Sequence, residues 1–192
     1  RAVEAAFEAA SASLRSLDRG DRAAVIPIGG DDLNEAEGRI LRYQLASNRR
    51  PYDGDLRRLA AEEKQALMAL REAAIKTPSP RTDVLGAVDL AAEEFSLAPQ
   101  GGVRVLLVLS DFLQDDARYR FGSDRELTDP KLAEALATQL AGGRPARLDG
   151  ARVFLGALAS KDLARLSCRR REAVRAFWAT YLRELGADVR WA

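Results

Sequence analysis

Apolar side chains recur at intervals of three or four residues in five segments of this 192-residue chain. That interval places them along one face of a helix, so it predicts an amphipathic helix in each segment. In the last segment, Trp178 and Tyr181 fall on the apolar face and are expected in the core. The five predicted helices cover residues 3–17, 55–76, 82–95, 130–140 and 168–185.

Short apolar runs bounded by turn residues predict strands between these helices. Residues 39–45 alternate between apolar and polar positions, which is typical of an edge strand or of a helical turn. Residues 103–109 form an unbroken apolar run, which implies burial on both faces of a sheet. We therefore expect Leu107 to be fully buried at the centre of the sheet. The other predicted strands cover residues 23–28, 151–158 and 187–191.

Strands that alternate with helices along a chain predict a parallel sheet with helices on both faces. We therefore predict an α/β fold, a Rossmann-like three-layer sandwich around a mostly parallel sheet. The length suits a single domain over residues 1–192, with a helical insertion at about 31–80. Ligands of such sheets bind beyond the carboxyl ends of the strands, so a site is expected after Ile28, Leu109 and Leu158.

The composition excludes several classes of function. With 30 basic and 29 acidic residues, the net charge of +1 favours neither nucleic acid nor an anionic membrane as a partner. The absence of histidine excludes Ser-His-Asp and Cys-His catalysis and His-ligated zinc. The single cysteine, Cys168, cannot form an intrachain disulfide and is expected to be a small packed side chain. No apolar run is long enough to span a membrane.

Two oxygen-bearing side chains at the ends of predicted elements form the candidate site. Thr82 lies where a helix begins, and Asp111 lies just after the strand 103–109. A hydroxyl and a carboxylate that meet at the carboxyl edge of a sheet are hard ligands, which suit Mg²⁺ or Ca²⁺. The alternative interpretation is structural: Thr82 or Asp83 caps the helix, and Asp111 caps a turn.

These segments resemble von Willebrand factor A domains, a family that includes the inserted domains of integrins. Residues 82–87 match the family's T-x-x-x-G-A pattern, and Ser110-Asp111 match the Thr/Ser-Asp that ends its next strand. Residues 16–26 resemble its helix, Gly-Asp-Arg turn and second strand. The order of elements agrees over almost the whole chain. The resemblance implies a MIDAS-like adhesion site in which Thr82 and Asp111 are metal ligands and an acidic group of a protein partner completes the shell.

The family's D-x-S-x-S motif does not occur in this sequence. In the family, that motif lies on a central strand just before the first helix. We expect the motif, and any targeting signal, to lie upstream of Arg1, with export or the bacterial cell envelope as the favoured location. We also expect the space between strands 23–28 and 103–109 to be filled by such an upstream strand or left vacant.

The sequence therefore predicts a domain that binds a protein partner through Mg²⁺ or Ca²⁺ and is not an enzyme. Two alternatives remain open. A Mg²⁺-dependent Rossmann-like hydrolase or phosphotransferase would use Asp111, Asp115 and an upstream acid. A metal-free scaffold would use none of these side chains as ligands. The arginines at 169–171 are expected to form a solvated basic face, and no nucleic acid is expected as a partner.

Overall fold

The computed structural model describes most of the carboxyl-terminal part of the chain and separate stretches of the amino-terminal part. The chain divides into two compact units. The first comprises Arg1–Pro27 and Asp32–Pro80, and the second comprises Ile28–Asp31 and Arg81–Ala192. The described residues are 2–15, 20–29, 40–44, 61, 64, 65, 68, 72, 81–99, 101–145 and 147–191.

The first unit contains a helix and a pair of antiparallel strands. Helix α1, Ala2–Arg15, confirms the first predicted helix over its described residues. Strand β1, Arg22–Val25, pairs antiparallel with strand β2, Leu41–Gln44, so β2 is a strand and not a helical turn. The prediction that residues 23–28 form a parallel strand is wrong for the described pairing, because the partner of β1 runs in the opposite direction. β1 also stops short of Pro27, which has no N–H to donate to a neighbouring strand.

Apart from residues 40–44, which include β2, the described residues of the predicted insertion at 31–80 are helical. They are residues 61, 64, 65, 68 and 72, and all five are exposed. Their spacing places them on one face of a helix, where they line a shallow cleft of about 390 Å³. They agree with the helix predicted at 55–76, whose apolar stripe lies outside the described residues.

The second unit is built around a three-stranded sheet. Its strands are β3 Val105–Ser110, β4 Arg152–Ala157 and β5 Asp188–Trp191. They lie in the order β3–β4–β5 and all run parallel, which confirms three of the predicted strands as members of one parallel sheet. The helices of this unit are α2 Val84–Ser96, α3 Pro130–Gly142, α4 Lys161–Arg165 and α5 Cys168–Glu184, with a 3₁₀ turn at Arg125–Thr128.

Local signals in the sequence set the ends of two of these helices. Asp129 accepts a hydrogen bond from the Lys131 N–H at 2.9 Å and Pro130 opens the first turn, so α3 begins where the sequence predicts. Gly186 follows the end of α5 with a φ of 93°, a left-handed conformation that glycine adopts without strain. A Cβ at Gly186 would also collide with the Asp149 side chain. Helix α5 therefore ends at Glu184, one residue before the predicted end at 185.

Aromatic rings of α5 form much of the core of the second unit. Phe177, Trp178 and Tyr181 are all buried, as the sequence predicts for the apolar face of this helix. Their ring centroids lie 5.2 to 5.9 Å apart, which is the usual separation of packed aromatic pairs. The predicted core position of Trp178 and Tyr181 is confirmed.

Helix α3 packs against α5 through small side chains. Its buried residues are Ala133, Ala137 and Ala141. They are spaced four residues apart and so share one face, where short side chains let two helix backbones approach closely. Leu132, an apolar residue of the predicted helix 130–140, is 47% exposed. Alanine rather than this leucine therefore defines the packed face of α3.

The sheet buries one of its two faces. Val108, Val153 and Leu155 belong to the core and are nearly inaccessible. On the alternate positions of β3, Val105 is 52% exposed and Leu107 is 37% exposed. The prediction that Leu107 is fully buried at the sheet centre is therefore wrong, because β3 is an outer strand of the described sheet and its second face is open. Coverage by helices on both faces, as in a three-layer sandwich, is not confirmed in the described residues.

This asymmetry predicts unequal effects of truncation on stability. Leu155→Ala is expected to lower the free energy of unfolding by about 2–5 kcal/mol, because the side chain is fully buried. Leu107→Ala is expected to cost under about 1 kcal/mol, because a side chain that already contacts water loses less when it is shortened. Urea denaturation of the two variants measures the difference. Equal losses would show that the Leu107 face is covered in the folded protein.

Cys168 is exposed as the first residue of α5. The Arg171 guanidinium donates a hydrogen bond to its sulfur at 3.2 Å. The prediction of a small packed cysteine is therefore wrong. The helix begins at this residue, and its first two residues are both exposed.

Candidate functional site

The loop that follows β3 lies against the segment that leads into α2. The Thr82 N–H donates to the Asp115 carbonyl at 2.9 Å, and the Asp115 N–H donates to the Thr82 carbonyl at 2.9 Å. This reciprocal pair is an isolated antiparallel bridge between two segments that are far apart in sequence. The structure therefore brings the segment of Thr82 to the loop that begins with Asp111, beyond the carboxyl end of β3, as the sequence predicts.

The segment after Ile28 also contacts this location, where the Thr82 segment meets the loop after β3. The Asp83 N–H donates to the Gly29 carbonyl at 2.7 Å. Of the three strand ends at which a site was predicted, those after Ile28 and Leu109 thus contribute to one location. The segment after Leu158 has a structural role instead, because the Ser160 hydroxyl accepts a hydrogen bond from the first turn of α4.

Asp111 has one carboxylate oxygen engaged in the backbone of its own loop. That oxygen accepts a hydrogen bond from the Leu113 N–H at 3.1 Å, so Asp111 caps a turn, as the structural interpretation predicts. Among the described residues, its second oxygen accepts no hydrogen bond and the residue has no basic partner. The residue is half-buried. Asp111 therefore keeps an anionic oxygen that can act as a ligand while it stabilises the turn.

Thr82 does not cap helix α2, because the next residue, Asp83, is the N-cap. The Asp83 carboxylate accepts a hydrogen bond from the Gly86 N–H at 2.8 Å and is the N-cap of the helix. Within the part of the chain that the structure describes, the half-buried Thr82 hydroxyl makes no hydrogen bond. The capping interpretation is thus confirmed for Asp83, and the Thr82 hydroxyl remains available as a ligand.

Phe112, which directly follows Asp111, has a backbone conformation that the sequence pattern does not predict. Its φ is 61°, in the left-handed region that residues with a side chain rarely adopt. The Trp178 indole N–H donates to its carbonyl at 2.9 Å, and its buried ring packs between Trp178 and Trp191 at 6.1 and 5.1 Å. These contacts hold the strained residue in place. They thereby fix the direction in which the chain leaves Asp111.

Gln114 is a further residue of this location that the sequence analysis missed. It is fully buried, and its side-chain amide makes four hydrogen bonds. The oxygen accepts from the Val84 and Leu85 N–H groups at 2.8 and 3.0 Å. The nitrogen donates to Asp83 at 2.9 Å and to Asp116 at 2.7 Å. No pattern in the sequence marks this residue, because three of its four partners lie 29 to 31 positions away along the chain.

The other acids of the loop differ from Asp111 in their surroundings. Asp115 lies 3.7 Å from the Arg120 guanidinium, so its charge is partly balanced. Asp116 accepts hydrogen bonds from the Arg118 and Tyr119 N–H groups with one oxygen and from Gln114 with the other. Of the three acids Asp111, Asp115 and Asp116, Asp111 alone combines an oxygen without a hydrogen bond and the absence of a basic partner.

The described residues supply an incomplete set of metal ligands. They contain no group of three or more His, Cys, Asp or Glu side chains that could hold a metal ion. Thr82 and Asp111 are hard oxygen donors of the kind that Mg²⁺ and Ca²⁺ prefer, so the residues fit the ion in chemical type. They are too few to bind it tightly without further ligands. Asp31 and Asp32, which follow Ile28 closely in the sequence, lie outside the described residues.

The basic residues at the start of α5 contact the rest of the second unit. Arg170 donates to two backbone carbonyls of the segment before α3, at 3.2 and 3.0 Å. Arg169 pairs with Asp129 and holds the pKa of that carboxyl below its ordinary value. Arg175 stacks over the Trp191 ring at 4.8 Å. Part of the predicted solvated basic face is therefore structural, which leaves fewer free cations for an anionic partner.

Comparison with protein-family models, curated proteins and solved structures finds no match to this chain. Within the described residues, no helix has the length and apolarity needed to cross a membrane. An assignment of function therefore depends on the contacts around Thr82 and Asp111, and the resemblance to von Willebrand factor A domains stays a prediction.

Proposed function

We propose that this chain is a von Willebrand factor A-like domain that binds a protein partner through a divalent cation, Mg²⁺ or Ca²⁺, beyond the carboxyl end of β3. The proposal includes the family's three-layer sandwich fold within a single domain. The observation that carries it is the reciprocal backbone pair between Thr82 and Asp115. That pair joins the two segments in which the resemblance places the ligands.

Thr82 and Asp111 would hold the cation with one neutral and one anionic oxygen. A divalent cation bound by a single carboxylate keeps a net positive charge, which favours a second anion in its coordination shell. An Asp or Glu side chain of a partner supplies such an anion together with a direct bond. This charge balance is the physical reason to propose an acidic protein partner, and water would fill the remaining positions.

The rival hydrolase or phosphotransferase would require Asp115 as a second catalytic acid. Its carboxylate lies beside Arg120 and its backbone forms the bridge to Thr82, so its contacts are those of a structural residue. In a metal-free scaffold, the contacts of Asp83 and Asp111 would serve only to stabilise the fold. Both alternatives make predictions that differ from those of the adhesion proposal.

Binding of short labelled peptides, each with one Asp or Glu, separates the three functions. We expect fluorescence polarisation to detect binding in Mg²⁺ and its loss in EDTA. Asp111→Ala should abolish the binding, whereas Thr82→Ala should weaken it less, because water can replace a neutral hydroxyl ligand. Asp115→Asn, in the same loop, is the matched control and should bind as the unmodified chain does.

Two outcomes would contradict this proposal. Peptide binding that persists in EDTA and in Asp111→Ala would favour the metal-free scaffold. Mg²⁺-dependent hydrolysis of para-nitrophenyl phosphate that is lost in Asp115→Asn would favour the enzyme.

A further inference from the structure

We propose that Gln114 is the positioning residue of the candidate cation site. Its side chain holds Thr82 and Asp111 at a fixed position relative to each other. This inference rests on the proposed function, because it concerns the geometry of the same two ligands. Gln114 lies on the Asp111 side of the site, and its side-chain amide forms hydrogen bonds with residues on the Thr82 side. It is fully buried, so solvent does not compete for these bonds.

The amide oxygen of Gln114 acts on the start of α2. It accepts hydrogen bonds from the N–H groups of Val84 and Leu85, which belong to the first turn of the helix. Such groups have no partner within a helix and need an acceptor when they are buried. Asp83 caps the Gly86 N–H, so Asp83 and Gln114 together satisfy three successive amides. The helix start that follows Thr82 is thus attached directly to the loop of Asp111.

The amide nitrogen of Gln114 acts on two carboxylates. It donates to Asp83, the residue after Thr82, and to Asp116, in the loop that Asp111 opens. A neutral donor between two anions reduces their repulsion without adding charge to the site. Among neutral side chains, only Asn and Gln combine an acceptor oxygen with a nitrogen that donates twice, and Gln has the greater reach. The four bonds therefore require this type of side chain.

Loss of the Gln114 amide should leave the two segments joined by the backbone bridge and by packing. Val84 and Leu85 would lose their acceptor, and the Asp83 and Asp116 carboxylates would face each other without a donor between them. Each buried group left without a partner favours local opening. The expected result is a Thr82 that moves relative to Asp111, and hence a weaker cation site, within a unit that remains folded by its aromatic core.

The test compares Gln114→Met, which keeps the length and removes all four bonds, with Leu182→Ala, a core truncation on α5 at a fully buried residue. Electron paramagnetic resonance measures Mn²⁺ affinity. Amide hydrogen exchange measures protection of the Thr82 and Asp115 N–H groups, which report on the bridge. We expect Gln114→Met to weaken Mn²⁺ binding at least about tenfold and to expose both amides. Leu182→Ala should lower global stability and leave Mn²⁺ affinity unchanged.

Gln114→Glu provides a conservative rescue. Burial and the two neighbouring carboxylates raise the pKa of its carboxyl above its ordinary value, and in its ionised form it should expose both bridge amides through like-charge repulsion. At lower pH, once it is protonated, it regains a donor and should restore protection, whereas Gln114→Met should not. A side chain that acts only through its volume would show no such dependence on pH.

The two measurements separate failure of this inference from failure of the proposed function. Unchanged Mn²⁺ affinity and unchanged amide protection in Gln114→Met would overturn the positioning role and leave the cation site intact. If the unmodified chain binds no Mn²⁺, the proposed function is wrong, and amide protection alone decides whether Gln114 holds the two segments together. A loss in Leu182→Ala equal to that in Gln114→Met would also overturn the inference, because it would follow from stability alone.

Discussion

Asp111→Ala is expected to abolish the weak binding of Mg²⁺ and Mn²⁺ that the two ligands of this chain allow. The substitution removes the charged ligand of the candidate site and leaves a neutral hydroxyl, which does not hold a strongly hydrated dication by itself. The Leu113 N–H also loses its acceptor, but Asp111 is half-buried, so water can take the place of its carboxylate. Calorimetric titration with each ion measures the loss.

Asp115→Ala in the same loop is the matched control for this result. Its carboxylate is paired with Arg120 and is half exposed, so its removal should change cation affinity by less than about threefold. Equal affinities of the unmodified chain and Asp111→Ala would mean that Asp111 is a turn residue only. The metal-free scaffold would then be the better account of the site.

Trp178→Ala is expected to lower the free energy of unfolding by about 3–5 kcal/mol, the range for loss of a large buried aromatic side chain. The ring is 1% exposed and contacts four other aromatic residues, so its removal opens the centre of the core. Its aromatic contacts are Phe112, Phe121, Phe177 and Tyr181. Denaturation in urea, followed by circular dichroism, measures the change.

Trp178→Phe separates packing from the hydrogen bond to Phe112. It keeps most of the ring contacts but leaves the Phe112 carbonyl without its donor, so a loss of about 1–3 kcal/mol is expected. Because that carbonyl belongs to the strained residue beside Asp111, the substitution should also weaken cation binding. A Trp178→Ala variant as stable as the unmodified chain would show that the aromatic cluster is not the core of this unit.

The sequence predicted those features of the fold that depend on neighbouring residues. Helix α3 begins at Asp129 and Pro130, and helix α5 stops at Gly186, because these residue types favour such ends in any protein. The three parallel strands were predicted because apolar runs between helices have few other stable arrangements. For the same reason, the convergence of the segments that carry Thr82 and Asp111 could be expected from the order of elements alone.

Features that depend on distant contacts were not predicted. Leu107 lies in a run whose hydrophobicity suits burial on both faces, yet the position of β3 at the edge of the described sheet decides its exposure. The left-handed backbone of Phe112 is maintained by two tryptophans that are remote in sequence. The role of Gln114 depends on three partners that are remote in sequence and that only the folded chain brings together. Residue type and spacing along the chain do not predict such contacts.

The location of a bound cation tests the central claim of this account most directly. Mn²⁺ is paramagnetic and broadens the nuclear magnetic resonance signals of amides close to it. Titration with substoichiometric Mn²⁺ should broaden the amides of residues 82–86 and 110–113 before all others, and Asp111→Ala should remove the effect. Broadening that is spread over other acidic residues, or that is the same in Asp111→Ala, would contradict a cation site formed by Thr82 and Asp111.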